Sequence, residues 1–218
     1  MYCCLIGGGR STLARNHAKR LAAIGCTVVI ADLYGDGFNP EHPEQVGPMV
    51  KHLIDHRNDG VDALAACVEQ LRHKVRSNTL IFCLGYSAGG MIALDYGRSG
   101  GEVAGIIVCS AMLKTAEEGM GKRIRSPVLI LQGTQDQVSP MSVIAEVVEE
   151  MDGAGNDVRL ELYTRTHHAF DNPDAGTDPS ARLVYSPESA RRAHAAIASF
   201  LAEVIEAPES GKRSADQS

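Results

Sequence analysis

The chain has 218 residues, 44% of them hydrophobic and 22% charged, enough for one globular domain with a sizeable core. Its net charge of −6 at pH 7, uninterrupted by any basic stripe, argues against a nucleic-acid partner. No apolar run nears the roughly 20 residues needed to span a bilayer, and no membrane association is expected.

The opening Met1-Tyr2-Cys3-Cys4-Leu5-Ile6 is too short for a signal-peptide core and runs into glycines. Cys3, Cys4, Cys26, Cys67, Cys83 and Cys109 mostly sit in apolar runs without C-x-x-C spacing. They read as reduced core residues of a cytoplasmic protein.

Residues 2–6 form a short apolar strand, followed by Gly7-Gly8-Gly9-Arg10. The spacing of Leu13, Ala14, Ala18, Leu21 and Ala22 predicts a helix over 12–24, closed by Gly25. The unbroken run 27–33 is a second strand, so the two strands and their helix make a right-handed βαβ unit in a parallel sheet. Residues 34–47 are dense in Gly, Pro and acids and read as a loop at the carboxyl end of a strand, where such sheets bind ligands.

Helices are expected at 48–57 and 61–76, then a strand at 79–84 and a helix at 89–97. Strands follow at 103–109 and 128–132. Ser139-Pro140 reads as an N-cap and first-turn proline opening a helix to Met151. The last strand covers 158–163, a polar loop 171–185, and Ser186-Pro187 opens a closing helix to about Ile205. Six strands alternating with helices define a doubly wound, mostly parallel α/β domain over 1–207, with helices on both faces. Residues 208–218 read as a polar, disordered tail.

The chemistry centres on Gly85-Tyr86-Ser87-Ala88-Gly89, which joins an apolar strand to a helix-like run. Such a strand–turn–helix elbow lifts a serine hydroxyl above the rim of a parallel sheet. Gly85 and Gly89 fit a reversal too tight for a β-carbon. By itself the pentapeptide is weak: with 22 glycines it arises by chance about 0.15 times in a chain of this composition. Order gives it weight. Asp136 follows the strand ending at Gln132, and His168 follows the strand ending at Tyr163, the serine–acid–histidine order of α/β-hydrolases.

Plainer roles compete with each of these. Ser87 and Asp136 can be turn residues only, and His167 neighbours His168. His168 is preferred because Phe170, two places on, can pack beneath the loop while the imidazole faces the serine. Asp95 and Asp171 are less well placed than Asp136, and His52, His56 and His194 read as solvated helix residues. An oxyanion hole needs two aimed N–H groups. Ala88 is one candidate, and Gly7 or Gly8 the other.

These residues resemble the dienelactone hydrolase family of α/β-hydrolases. The likeness spans residues 2 to about 205. It rests on Arg15-x-x-Ala18-x-x-Leu21-Ala22-x-x-Gly25, Ala31-Asp32-Leu33-Tyr34-Gly35, Gly85-Tyr86-Ser87-x-Gly89-Gly90, Gly133-x-x-Asp136 and His168-Ala169-Phe170-Asp171. The resemblance implies an α/β-hydrolase fold and hydrolysis of an ester or lactone through an acyl-enzyme, without cofactor or metal. The expected substrate is a small to medium ester or lactone.

The chain departs from the family pattern at three places. Ser87 stands where many members carry cysteine. Ile6 stands where the namesake enzymes carry glutamate, and Asp171-Asn172 where they carry an arginine. These departures point toward a serine esterase and away from dienelactone itself. Tyr34, Tyr86 and Phe170, with Phe38 and Met112, are candidate pocket residues, and Arg10 or Arg165 candidate anion binders.

Family members usually carry strands before the one that opens this chain. Those strands are expected to be missing here, which makes 27–33 a sheet edge, covered by 34–57 or paired across a homodimer. A thioesterase or acyltransferase on the same residues, and a non-catalytic hydrolase-fold binding protein, are the alternative readings. A short-chain dehydrogenase is disfavoured because Gly-x-Gly-x-x-Gly fails at Thr12 and no Tyr-x-x-x-Lys occurs.

Overall fold

The computed structural model describes residues 1–6, 11–35, 37, 43–116 and 119–207. Expectations for Gly7, Gly8, Arg10, Phe38 and the 208–218 tail lie outside the described residues.

Six strands, β1 (Tyr2–Ile6), β2 (Thr27–Ile30), β3 (Ile81–Tyr86), β4 (Gly105–Cys109), β5 (Val128–Gly133) and β6 (Val158–Tyr163), form one all-parallel sheet of order β2-β1-β3-β4-β5-β6. The helices are α1 (Thr12–Ala23), α2 (Pro43–Asp55), α3 (Arg57–Lys74), α4 (Ala88–Arg98), α5 (Met141–Gly153) and α6 (Pro187–Glu206).

Alternation along the central strands divides the core. Cys4, Cys83, Ile106 and Ile130 face α3, α4 and α5, while Leu5, Leu84, Ile107 and Leu131 face α1 and α6. This is the three-layered α/β-hydrolase architecture expected from the alternating elements. The chain winds outward from β1 to β2 and then returns to β3 on β1's other side. That reversal opens a crevice at the carboxyl ends of β1 and β3. Ser87 follows β3 directly and therefore stands beside it.

Several boundaries differ from the sequence reading, each for a local reason. Strand β2 stops at Ile30 because the Asp32 carboxylate accepts from the amides of Tyr34 (3.2 Å), Gly35 (3.0 Å) and Gly37 (2.7 Å), turning the chain. Helix α2 begins at Pro43 rather than 48 and carries Pro48 inside it. A proline suits a first turn, and Pro48 removes one hydrogen bond without ending the helix. Helix α5 is capped by Pro140, because the Ser139 hydroxyl donates to Ala111 O (2.9 Å) and accepts from Leu113 N (2.9 Å) instead.

The other end signals operate as read. Ser11 accepts from Ala14 N at the head of α1, and Ser186 accepts from Ser189 N at the head of α6. All six cysteines are free thiols, five of them buried. Strand β2 is a sheet edge, with only β1 paired to it among the described residues. No helix among the described residues is long and apolar enough to cross a membrane.

Candidate active site

The elbow is built by close approach. A β-carbon on Gly85 would lie 2.5 Å from Gly89 O and 2.7 Å from Gly90 Cα, both backbone atoms that cannot swing away. Ser87 has φ 51° and ψ −121°, a left-handed conformation that costs a non-glycine residue on the order of 1–2 kcal/mol. That strain turns its hydroxyl outward while α4 starts at once with Ala88. The Ala88 amide lies in a first helical turn, where N–H groups have no partner within the helix and point at whatever sits beyond. The segment after β4 braces the turn, with Met112 N donating to Ser87 O at 3.1 Å.

Ser87 Oγ lies 2.9 Å from His168 Nε2, and His168 Nδ1 lies 2.8 Å from Asp136 Oδ2. Asp136 is 2% exposed, and four donors converge on its two oxygens. Oδ2 accepts from Gln132 Nε2 (2.7 Å) as well as from His168; Oδ1 accepts from Val138 N (2.7 Å) and Ser139 N (3.1 Å). With the carboxylate accepting throughout, His168 Nδ1 carries the proton and Nε2 is left to accept from the serine hydroxyl.

Each partner is fixed by its own supports. Gln132, wholly buried, accepts from Ala111 N (3.0 Å) while it donates to Asp136. Gly133 lets the turn after β5 press on the turn after β6, since a β-carbon there would meet Thr166 O at 2.2 Å. The His168 loop is pinned by Ala169 N donating to Ser110 Oγ (2.8 Å), Val184 N to His168 O (3.1 Å) and Ser186 N to Phe170 O (2.9 Å).

The structure thus brings Ser87, Asp136 and His168 together, with Ala88 following the serine. Tyr34 is half-buried past the end of β2, where burial pushes its phenol up. Tyr86 is partly buried, facing the α1 side of the sheet. Phe170 corrects a sequence expectation. It is 0% exposed and packs edge-on against Tyr163 at 5.5 Å, so it belongs to the core and not to a pocket wall. His194 is also corrected: it is half-buried, 3.1 Å from Arg20 Nη1, and burial then Arg20 push it down to about 4. Among the described residues no group of His, Cys, Asp or Glu is arranged to hold a metal ion.

Gln132 and Ser110 were given no site role by sequence reasoning, and Ser139 only that of a helix cap. Only the position of Gln132, a polar residue ending an apolar strand, offered a signal.

The dienelactone hydrolase family model matches residues 6–205. This chain belongs to the dienelactone hydrolase family. Among solved structures, m3DLH superposes with a TM-score of 0.79 at 28% identity, covering 93% of this chain and 85% of its own. The dienelactone hydrolase-like promiscuous phosphotriesterase P91, from metagenomic libraries, gives 0.77 at 21% identity over 93% and 85%. The lidless α/β serine hydrolase XC6422 of Xanthomonas campestris gives 0.59 at 15% over 94% and 80%. Among curated proteins, Protein usf of Aquifex pyrophilus is 21% identical over 155 residues, 70% of this chain and 67% of its own.

Membership makes the chain a hydrolase. Ile6 is fully buried among apolar residues. Asp32, the acid that ends the second strand run, is spent on three backbone amides of a turn. A nucleotide ribose would find that carboxylate already occupied.

Proposed function

We propose that the chain is a serine hydrolase that cleaves a small to medium carboxylic ester or lactone through an acyl-enzyme. The observation that carries this reading is the continuous chain Ser87 Oγ–His168 Nε2 (2.9 Å), His168 Nδ1–Asp136 Oδ2 (2.8 Å). A serine hydroxyl is a weak nucleophile until a positioned base takes its proton.

In the reaction Ser87 Oγ bonds to the substrate's carbonyl carbon while its proton passes to His168 Nε2. The carbonyl π pair moves onto oxygen, giving an oxyanion for which the Ala88 amide is one donor. Asp136 holds the ring and offsets the imidazolium charge. Collapse breaks the bond to the leaving alkoxide, which takes the proton from Nε2. Water then repeats the sequence on the acyl-enzyme: His168 takes its proton, the acid leaves, and Ser87 recovers its hydrogen.

A panel of short- and medium-chain esters, thioesters and lactones, run beside Ser87→Ala, tests the reading. A phosphotriester belongs in the panel because P91 is named for that activity. Turnover of an ester or lactone should fall at least about 10³-fold in the variant. Equal rates in the two proteins refute the mechanism, and turnover confined to thioesters or acyl transfer redirects it.

A further inference from the structure

Behind the elbow lies a second acid–histidine pair that the mechanism above does not use. His17 on α1 and Asp171 in the His168 loop are 2% and 4% exposed, and His17 Nε2 lies 3.2 Å from Asp171 Oδ2. The two are close enough for charge to act between them, yet not aligned as a hydrogen bond. Both ring nitrogens of His17 and Asp171 Oδ2 are buried without a hydrogen-bond partner. Orphaned buried polar atoms are rare in folded proteins because each forfeits its hydration. The His17 ring also stacks on Tyr86, the residue before the nucleophile, at 3.9 Å and 16°. The couple therefore touches the elbow on one side and belongs to the His168 loop on the other.

We propose that Asp171 is a positioning residue of the Ser87–His168 site: an uncompensated carboxylate, packed under His17 and behind the elbow, whose charge supports the imidazolium of His168. The proposal rests on the serine-hydrolase reading above. His17 contributes by being neutral. It shields the carboxylate from water and holds it against Tyr86 without cancelling its charge.

The surrounding ionisable groups agree with this division. From α1 come His17 and Arg20, from α6 His194, from β3 Tyr86, from β4 Cys109, and from its own loop His168. Burial, then Arg20 and His194, push His17 down to about 3, so it stays uncharged. Burial pushes the Tyr86 phenol and the Cys109 thiol well up, and the Asp171 charge adds to both shifts. Burial also pushes Asp171 up to about 6, against the opposing pull of its own backbone N–H, His168 and Arg20. At neutral pH Asp171 is charged, and the reaction places a proton on His168 in its transition state. The attraction between Asp171 and a charged His168 is then realised as the reaction proceeds, which is the condition for raising kcat.

The test is the kcat/KM–pH profile of the full chain as wild type, Asp171→Asn, Asp171→Glu and Ser87→Ala, on the best ester of the panel. At pH 8 Asp171→Asn should lose about tenfold in kcat with KM nearly unchanged. The deficit should shrink toward pH 5, because the wild-type carboxylate itself takes up a proton as pH falls through about 6. The acid limb should move to lower pH in the asparagine variant, since a histidine stripped of a nearby negative charge binds its proton less tightly. Asp171→Glu keeps the charge and should recover most of the loss.

Equal losses in both Asp171 variants, or no loss in either, overturn the proposal. So does an asparagine variant that fails to fold at pH 8, because removing an uncompensated buried charge should not destabilise the chain. If Ser87→Ala keeps its activity, the failure belongs to the serine-hydrolase reading instead.

Discussion

Asp136→Asn is the substitution whose consequences follow most fully from the geometry. Asparagine has the same shape but offers one acceptor oxygen and one NH2 group in place of two acceptors. The backbone amides of Val138 and Ser139 cannot turn, so the asparagine oxygen must take the Oδ1 position. Its NH2 then faces Gln132 Nε2 at the 2.7 Å and His168 Nδ1 at the 2.8 Å now spanned by hydrogen bonds. Gln132 cannot escape by flipping, because its Oε1 accepts from Ala111 N. His168 can answer only by moving its proton to Nε2, which presents a donor to Ser87 where an acceptor is required.

The wrong tautomer costs about 10⁴-fold in kcat, the magnitude for the equivalent change in a serine protease. The donors still facing each other at Gln132 cost about 1–3 kcal/mol in stability, or roughly 2–12 °C in Tm for a chain of this size. Initial rates on the best ester, with thermal melts on the same samples, separate the two effects. A folded Asp136→Asn within tenfold of wild-type kcat refutes the reasoning, because the carboxylate then has no part in setting the proton on His168.

Other expectations follow from single contacts. Gly85→Ala drives a β-carbon into the Gly89–Gly90 backbone and should cost about 3 kcal/mol, roughly 6–12 °C in Tm, with most of the activity. A melt within 2 °C of wild type contradicts that packing. His17, depressed to about 3, takes up its proton more readily unfolded than folded, so its contribution to stability is intact above about pH 6.5 and lost as pH falls toward 3. Asp171, raised to about 6, has the opposite sign: the cost of its buried charge is relieved as pH falls from 6 to 4. His17→Phe keeps the stack and should therefore gain on wild type by about 3 kcal/mol between pH 7.5 and pH 4 in urea titrations; a pH-independent difference contradicts the sign. Finally, Thr27 N and Ala31 N donate to Met1 O and Leu5 O of the β1 side, so ladder alternation turns the N–H groups of Val28 and Ile30 outward. We expect two copies to pair through that edge, so light scattering should give twice the 23.3 kDa of one chain, and Ile30→Pro a monomer. A wild-type monomer at working concentration removes the edge pairing.

What was legible in the sequence was whatever local pattern encodes. Strand-length apolar runs alternating with helical periods gave the sheet and its helices. Chain order placed Ser87, Asp136 and His168 past the ends of three strands that turned out to be β3, β5 and β6. Local composition misled where chemistry was ambiguous. Pro43 to Gly47 looked like loop because proline and glycine punctuate loops, although a proline equally suits a first helical turn. Ser139 looked like a cap because nothing local records that Ala111 O and Leu113 N would claim its hydroxyl. The pairing of His17 with Asp171 lay beyond reach altogether. The two are 154 positions apart, and a buried histidine on a helix has the same spacing as a solvated one.

The most direct test of the central claim is covalent. Treatment with a fluorophosphonate, followed by intact mass and peptide mapping, should give one adduct, on the peptide carrying Ser87, and none in Ser87→Ala. Labelling that survives in the variant, or a wild-type chain that hydrolyses esters yet takes no label at Ser87, contradicts the account.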